Sequence, residues 1–266
     1  MESLPVFSSA NGLNAQQVAE FCQNGYVIAR GLINAETIAF AKETIDDFIL
    51  HHPNEVLYEP EVLKTRSVEQ LSPVERITAV RGIHQQVSKD ARFLALAKNP
   101  ALIAALGSLL GPDFKVLQDM ALIKPPRIGS EKPAHQDAAY FEIEPLDQIV
   151  GTWWALDRAT VDNGCMFVWP GSHRLPVIAH THLEGTPHLV IDDSIADPAH
   201  QVPLPMEPGD VLLFSSRLFH FTPPNRSELR RRALQIHYAG AHCRLVPGRK
   251  ARTYTLVHGE SQPLGI

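Results

Sequence analysis

The sequence predicts a mainly β chain with helices on its N-terminal side: an α+β protein whose single β-core, of jelly-roll or barrel type, is wrapped by helices. Three observations carry this expectation. Up to about residue 110 the apolar residues recur at the i, i+3, i+4 spacing of half-buried helices. From Phe114 onward they fall instead into short runs of branched and aromatic residues, separated by turn residues. No internal repeat and no Pro/Gly-rich linker divides the chain, so 1–266 reads as one unit, with a mostly helical flank over 1–112 and the β-core over 113–245.

Asn14 stands where a helix cap belongs, ahead of Val18, Phe21 and Cys22 on one face, and Asn24-Gly25 ends that helix. A second helix runs from Ala35 to Leu50 with Ile38, Ala41, Ile45, Phe48 and Ile49 as its buried stripe. A third is expected over His84 to Ala97. A fourth opens on Asn99-Pro100, a cap followed by proline at the first helical position, and stops at Gly111. The polar, proline-punctuated stretch Pro53 to Pro73 reads as a mobile loop. Strands are expected over Phe114 to Lys124, Ile149 to Leu156, Cys165 to Trp169, Val211 to Ser215 and Ala233 to Ala239. The turns between them are Pro125-Pro126, Asp162-Asn163-Gly164, Pro170-Gly171-Ser172 and Pro208-Gly209-Asp210.

Composition narrows the function. Apolar residues make up 44% of the 266 residues, enough for a substantial core, and the formal net charge is -5. No basic block exists beyond Arg230-Arg231-Arg232, which argues against nucleic acid as a partner. Cys22, Cys165 and Cys243 form no CxxC pair, so they read as idle thiols of a reducing compartment rather than disulfide or zinc ligands. Met1-Glu2-Ser3-Leu4-Pro5 lacks the basic and apolar regions of a secretory signal, and Pro263-Leu264-Gly265-Ile266 is neither a peroxisomal nor a prenylation signal. No run approaches the ~18 apolar residues of a membrane span. The expectation is a cytoplasmic protein with no membrane partner; the sequence leaves the oligomeric state open.

The chemistry concentrates in Pro133-Ala134-His135-Gln136-Asp137 and Phe219-His220-Phe221. In extended backbone, residues two apart project to the same face with Cα atoms roughly 6.6 Å apart. His135 and Asp137 can therefore converge on one ion with bonds of about 2.0–2.2 Å, and His220 can complete the set from a neighbouring strand. Two imidazoles and one carboxylate occupy one face of an octahedral metal and leave the other free, the arrangement that non-haem Fe(II) oxygenases use. Downstream, Arg231 offers a planar fork suited to the distal carboxylate of a metal-bound keto acid. With thirteen histidines in the chain, isolated His/Asp neighbours also arise by chance, as His188 near Asp192 and Asp193 shows. The surrounding Lys124-Pro125-Pro126, the run Pro208 to Phe214 and the following arginine set the His135, Asp137, His220 group apart from that background.

The stretches "KPPRIGSEKPAHQD", "EPLDQIVGTWWALDRATVDNGCMFVWPGSH" and "HFTPPNRSELRRRALQIHY" resemble the phytanoyl-CoA dioxygenase family of Fe(II)/2-oxoglutarate oxygenases, most of all its domain-containing subgroup. The resemblance runs from "NGYVIARGLI" to Tyr238. It implies a double-stranded β-helix, a cupin-like jelly roll, with flanking helices. It further implies His135, Asp137 and His220 as metal and catalytic ligands for Fe(II), and Arg231 as the 2-oxoglutarate arginine, with Arg230 and Arg232 on the opposite face. Gln118 and Trp153 fall where relatives present side chains to the co-substrate; an ordinary inward polar residue and a core tryptophan are the competing readings. Asn225 and Ser227 are expected to organise the loop before the arginine strand.

The reaction implied is dioxygenase chemistry with O2 as oxidant and release of succinate and CO2. Because Asp137 is present where halogenases carry a small residue, hydroxylation of a small organic molecule is favoured. No Lys/Arg cluster suited to CoA phosphates stands out, so free small molecules stay open as substrates. Tyr140, Phe141, Gln235 and His237 are candidates to face that substrate, and His84, at a helix start, to border the pocket. A non-catalytic metal- and keto-acid-binding sensor, or a zinc hydrolase on the same ligands, are the alternatives.

Overall fold

In the computed structural model, which describes residues 11–184, 186, 188–247 and 255–258, two antiparallel sheets face each other and helices cover one of them. The larger sheet runs in the order Tyr26–Ala29, Val211–Ser215, Ile149–Ala155, Arg231–Gly240, Phe114–Lys124, Val80–His84, Leu57–Tyr58, with Thr255–His258 also on Phe114–Lys124. The smaller runs Val202–Leu204, Met166–Val168, His220–Thr222, Lys132–His135. Non-sequential neighbours in both sheets are the mark of a double-stranded β-helix, and the expected fold class holds. The terminal pentapeptide and tetrapeptide read for targeting lie outside the described residues.

Local chemistry explains the helices that the sequence placed correctly. Asn14 caps Ala15–Asn24 with a reciprocal Gln17 contact, and Gly25 ends it at φ +84°, a conformation glycine adopts without cost. Asn34 caps Ala35–His51, whose Ile38, Ala41, Ile45, Phe48 and Ile49 are buried. Asn99 accepts from Ala101 and Leu102 at the start of Pro100–Leu110, which Gly111 ends. These helices join a core that also takes Val150, Trp154, Leu234, Ile236 and Tyr238 from the outer face of the large sheet.

The mostly helical flank also carries Tyr26–Ala29, Leu57–Tyr58 and Val80–His84 as strands of the large sheet. Three expectations need correction. The third helix begins only at Ala91, capped by Asp90, and His84 ends a strand rather than starting a helix. Arg81 and His84 interrupt the apolar pattern there, so a short edge-side strand read as the approach to the helix. The stretch Pro53 to Pro73 holds the strand Leu57–Tyr58 and the one-turn helix Pro60–Leu63. Between them, buried Glu59 accepts the Ser130 N–H at 3.0 Å, tying this stretch to the barrel. The strand expected over Cys165 to Trp169 spans Met166–Val168, and Ala233 to Ala239 extends to Arg231–Gly240.

Among the described residues no single helix is long and apolar enough to cross a membrane. The bent pair Ala91–Ala97 and Pro100–Leu110 comes nearest, but Phe93, Leu96, Leu102 and Leu106 of that pair lie in the core.

Candidate active site

His135 is the last residue of its strand and pairs directly with His220, the first residue of the neighbouring one, with ring centroids 4.3 Å apart. Gln136 stays extended (φ -110°, ψ 129°), which returns Asp137 to the face of His135. Asp137 itself already begins the short 3-10 turn Asp137–Tyr140, so the alternation works although the strand stops two residues earlier than the pairing argument assumed. The Gln136 side chain goes the other way and donates to Pro176 O and Arg217 O, locking the connection.

The result is a buried triad. Asp137 Oδ1 lies 3.3 Å from His135 Nε2, Oδ2 lies 3.6 Å from His220 Nε2, and the three ligand atoms fall within 4.8 Å of one another. His135 Nδ1 is 2.7 Å from Pro133 O and His220 Nδ1 is 2.9 Å from Leu218 O. A carbonyl accepts only, so each ring carries its proton on Nδ1 and turns a lone pair at Nε2 toward Asp137, the orientation a metal ligand needs. Burial, then the neighbouring His220, pushes His135 down to about 3, and burial lowers His220. Burial alone would raise the Asp137 carboxyl, but His220 and His237 beside it hold it well below the usual carboxylate range. Two neutral imidazoles and an ionised carboxylate on one point are the protonation states that metal binding requires. The donor set fits an ion such as Fe(II).

His237 behaves differently from expectation. It is fully buried behind Asp137, and its Nε2 stands 2.7 Å from Asp137 Oδ2. Its Nδ1 has no partner among the described residues, and a carboxylate only accepts, so Nε2 carries a proton and donates it to Asp137. Gln235 Nε2 donates to the same oxygen at 3.3 Å. His237 thus aims the carboxylate instead of facing substrate. Tyr140, Phe141, Gln235 and His84 do line the adjoining cavity, of about 610 Å³, as do Gln118, Trp153 and Arg231.

Arg231 is 2% exposed, yet among the described residues no carboxylate pairs with it. Its Nη1 donates to Leu122 O at 3.1 Å and its guanidinium carbon sits 5.3 Å from the centroid of the Trp153 ring; among the described residues neither Arg231 Nε nor Trp153 Nε1 has a partner. Buried orphan donors are costly unless something accepts from them. A carboxylate-bearing co-substrate in the cavity meets that need, so the residues fit 2-oxoglutarate as well as the metal. Burial pulls Arg231 down to about 10, which leaves it charged at neutral pH. Arg230 and Arg232 point to the other face, where both bind Asp46 and Arg232 also binds Asp157 at 2.9 Å. Trp153 faces the cavity while Trp154 enters the outer core.

Supporting contacts follow. Asn225 Nδ2 donates to Lys124 O and Leu229 O, and its Oδ1 accepts from Ser227, shaping the loop before Arg231. Ser172 does more than make a turn: its Oγ accepts the N–H of Phe219 at 2.9 Å, next to His220. Sequence reasoning missed Arg81, Lys124, Lys132 and His188, which also line the cavity. Lys132 lies three residues before His135, out of step with the alternation that found Asp137, and His188 lies beside a two-residue strand in a loop.

A double-stranded β-helix with two histidines and one carboxylate converging beside a buried arginine defines a non-haem iron oxygenase type of protein. The sequence profile of the phytanoyl-CoA dioxygenase family matches residues 21–233, and the chain belongs to that family, as a dioxygenase and hence an oxidoreductase. It is 26% identical over 248 residues to the peroxisomal phytanoyl-CoA dioxygenase of Bos taurus, covering 89% of this chain and 71% of that one. Over a shorter span of 160 residues it is 31% identical to phytanoyl-CoA dioxygenase domain-containing protein 1 of Mus musculus, covering 58% and 55%. In structure it resembles EctD from S. alaskensis, solved with 2-oxoglutarate and 5-hydroxyectoine, at TM-score 0.71 and 22% identity over 97% of this chain and 89% of that one; this shared shape speaks to the fold.

Proposed function

We propose that the protein hydroxylates a small organic molecule, with His135, Asp137 and His220 holding Fe(II) and Arg231 holding the distal carboxylate of 2-oxoglutarate. The observation that carries this reading is the pair of preset tautomers: two carbonyls, Pro133 O and Leu218 O, turn both Nε2 lone pairs onto the Asp137 carboxylate. When bound, iron, 2-oxoglutarate and O2 supply the oxidising chemistry, in which the keto acid becomes succinate and CO2 as a substrate C–H bond is hydroxylated.

The chain's own residues do the positioning. His237 and Gln235 hold one Asp137 oxygen, so the carboxylate keeps a fixed orientation toward the ion. The Arg231 fork grips a carboxylate with two parallel donors, and Trp153 packs along it to exclude water, which strengthens the pairing. Gln118, on the strand facing Trp153 across Arg231–Gly240, closes that side of the cavity. Flank and barrel work as one unit, since helix and sheet residues share one core.

The test is succinate formation by the Fe(II)-loaded protein with 2-oxoglutarate and O2, across a substrate library, with O2 uptake measured in parallel. Succinate coupled to product from one substrate class is expected. Binding of metal and keto acid with no turnover on any substrate would instead identify a sensor, and anaerobic activity without keto acid a hydrolase.

A further inference from the structure

The peptide group between Leu218 and Phe219 is held at both ends. Its carbonyl, Leu218 O, lies 2.9 Å from His220 Nδ1 and sets the tautomer and tilt of that ring. Its N–H, on Phe219, donates to Ser172 Oγ at 2.9 Å. A peptide is planar and trans, so its N–H and C=O point in opposite directions within one plane. Whatever fixes the direction of the N–H therefore fixes the direction of the carbonyl as well. The chain of contacts is short: a hydroxyl, one peptide plane, an imidazole, and then Nε2 turned onto Asp137.

The hydroxyl stands where a strand ladder runs out. His220 and Phe221 pair with Val168 and Phe167, and one residue further along Trp169 N still donates to Phe219 O at 3.1 Å. Pro170 and Gly171 then turn that chain away, Gly171 at φ +81°, a conformation that favours glycine. The next acceptor must come from a side chain, and Ser172 Oγ supplies it. Phe219 is buried, where an N–H without an acceptor is costly. The turn is itself firmly seated. Ser172 N donates to Trp169 O at 3.1 Å, and Gly171 N and Arg174 Nη2 donate to Asn24 O at 2.8 Å and Gln23 O at 2.6 Å, at the end of the helix Ala15–Asn24. His173 Nε2 stands 3.2 Å from Cys22 O of the same helix.

We propose that Ser172 is a positioning residue for the metal ligand His220, acting through the Leu218–Phe219 peptide. This rests on the metal reading above and adds to it a residue outside the cavity lining. By accepting the Phe219 N–H, the hydroxyl also polarises the peptide, which makes Leu218 O a stronger acceptor and His220 Nε2 a better lone-pair donor. Alanine in place of Ser172 removes the acceptor, so the N–H is free to swing and the carbonyl swings with it. Threonine keeps the hydroxyl, and cysteine keeps the size with a weak acceptor.

The experiment titrates the whole protein with Co(II) under anaerobic conditions, in competition with a chromophoric chelator. Ser172→Ala is expected to weaken Co(II) binding about tenfold, as loss of an outer hydrogen bond to a metal ligand does, and Ser172→Thr to recover most of that loss. Nitrogen-15 NMR of the histidine rings reads the same position without metal. In the unaltered protein His135 and His220 should both carry Nδ1–H; in Ser172→Ala only His220 should give way to mixed tautomers, with His135 as the internal control. If Ser172→Ala does not fold, Ser172→Cys takes its place in both measurements. Co(II) affinity in the alanine or cysteine variant within about twofold of the unaltered protein overturns the proposal, even where the melting temperature falls, because Ser172 then serves stability alone. Equal losses in Ser172→Ala and Ser172→Thr overturn it too, as does a tautomer change at both rings. If the unaltered protein takes up no Co(II), the metal reading falls first and the proposal with it.

Discussion

The two faces of the large sheet are built from the same strands and teach opposite lessons. On Ile149–Ala155, Trp153 and Trp154 are adjacent and both fully buried. Trp154 joins Leu234, Ile236 and Tyr238 in the core beneath the helices. Trp153 turns inward with Arg231, Gln235 and His237 of the neighbouring strand. The outer face is apolar and stabilises the fold by removing hydrocarbon from water. The inner face mixes apolar side chains such as Leu212, Phe214 and Ala233 with Arg231, Gln235 and His237, and among the described residues Arg231 Nε and Trp153 Nε1 have no partner. Burial is equal on both sides; what differs is what is buried, a hydrocarbon core beneath the helices and a cluster of charged and polar side chains beside the cavity.

This contrast can be broken from either side. Asp137→Ala should abolish both Fe(II) binding, read by metal titration, and succinate formation, while the melting temperature of the metal-free protein holds. Trp154→Ala should do the reverse, costing about 3–5 kcal/mol of stability in denaturant unfolding through a large core cavity, with 2-oxoglutarate KM near normal in the fraction that stays folded. Arg231→Lys keeps the charge and loses the fork, so KM for 2-oxoglutarate should rise about 10–100-fold with a smaller change in kcat. His237→Gln should weaken metal affinity about 10–100-fold by freeing the Asp137 carboxylate, and an equal affinity would show that Gln235 alone suffices to aim it. Arg232→Ala, on the outer face, should cost about 1–3 kcal/mol in unfolding experiments and leave KM unchanged, because its mostly buried guanidinium donates to both Asp46 and Asp157.

The same contrast explains what could be read from the chain alone. Residues whose role is set by local rules were legible: Asn99-Pro100 and Gly111 bracket a helix by capping chemistry, and His135 and Asp137 share a face by alternation. The opposite sides of Arg231 and its neighbours followed from the same period. Residues whose role depends on distant partners were not. His237 has a periodicity that only says it faces inward; that it meets Asp137, and not substrate, is decided by how the two sheets close. Val80–His84 is a strand because Phe114–Lys124 offers it an edge to pair with, a fact no propensity within Val80–His84 records. Arg81 was lost with it.

The three consecutive arginines impose a parity rule on the chain. Arg230 and Arg232 latch the sheet to Asp46 of the helix Ala35–His51, and only the middle guanidinium reaches the cavity. Slipping this strand by one position would exchange latch and grip, whereas slipping it by two would keep the facing but put Leu229 or Ala233 where Arg231 stands. Length variation between Thr222 and Arg230 should therefore be absorbed in that loop, while the strand keeps the register that its two neighbours hold.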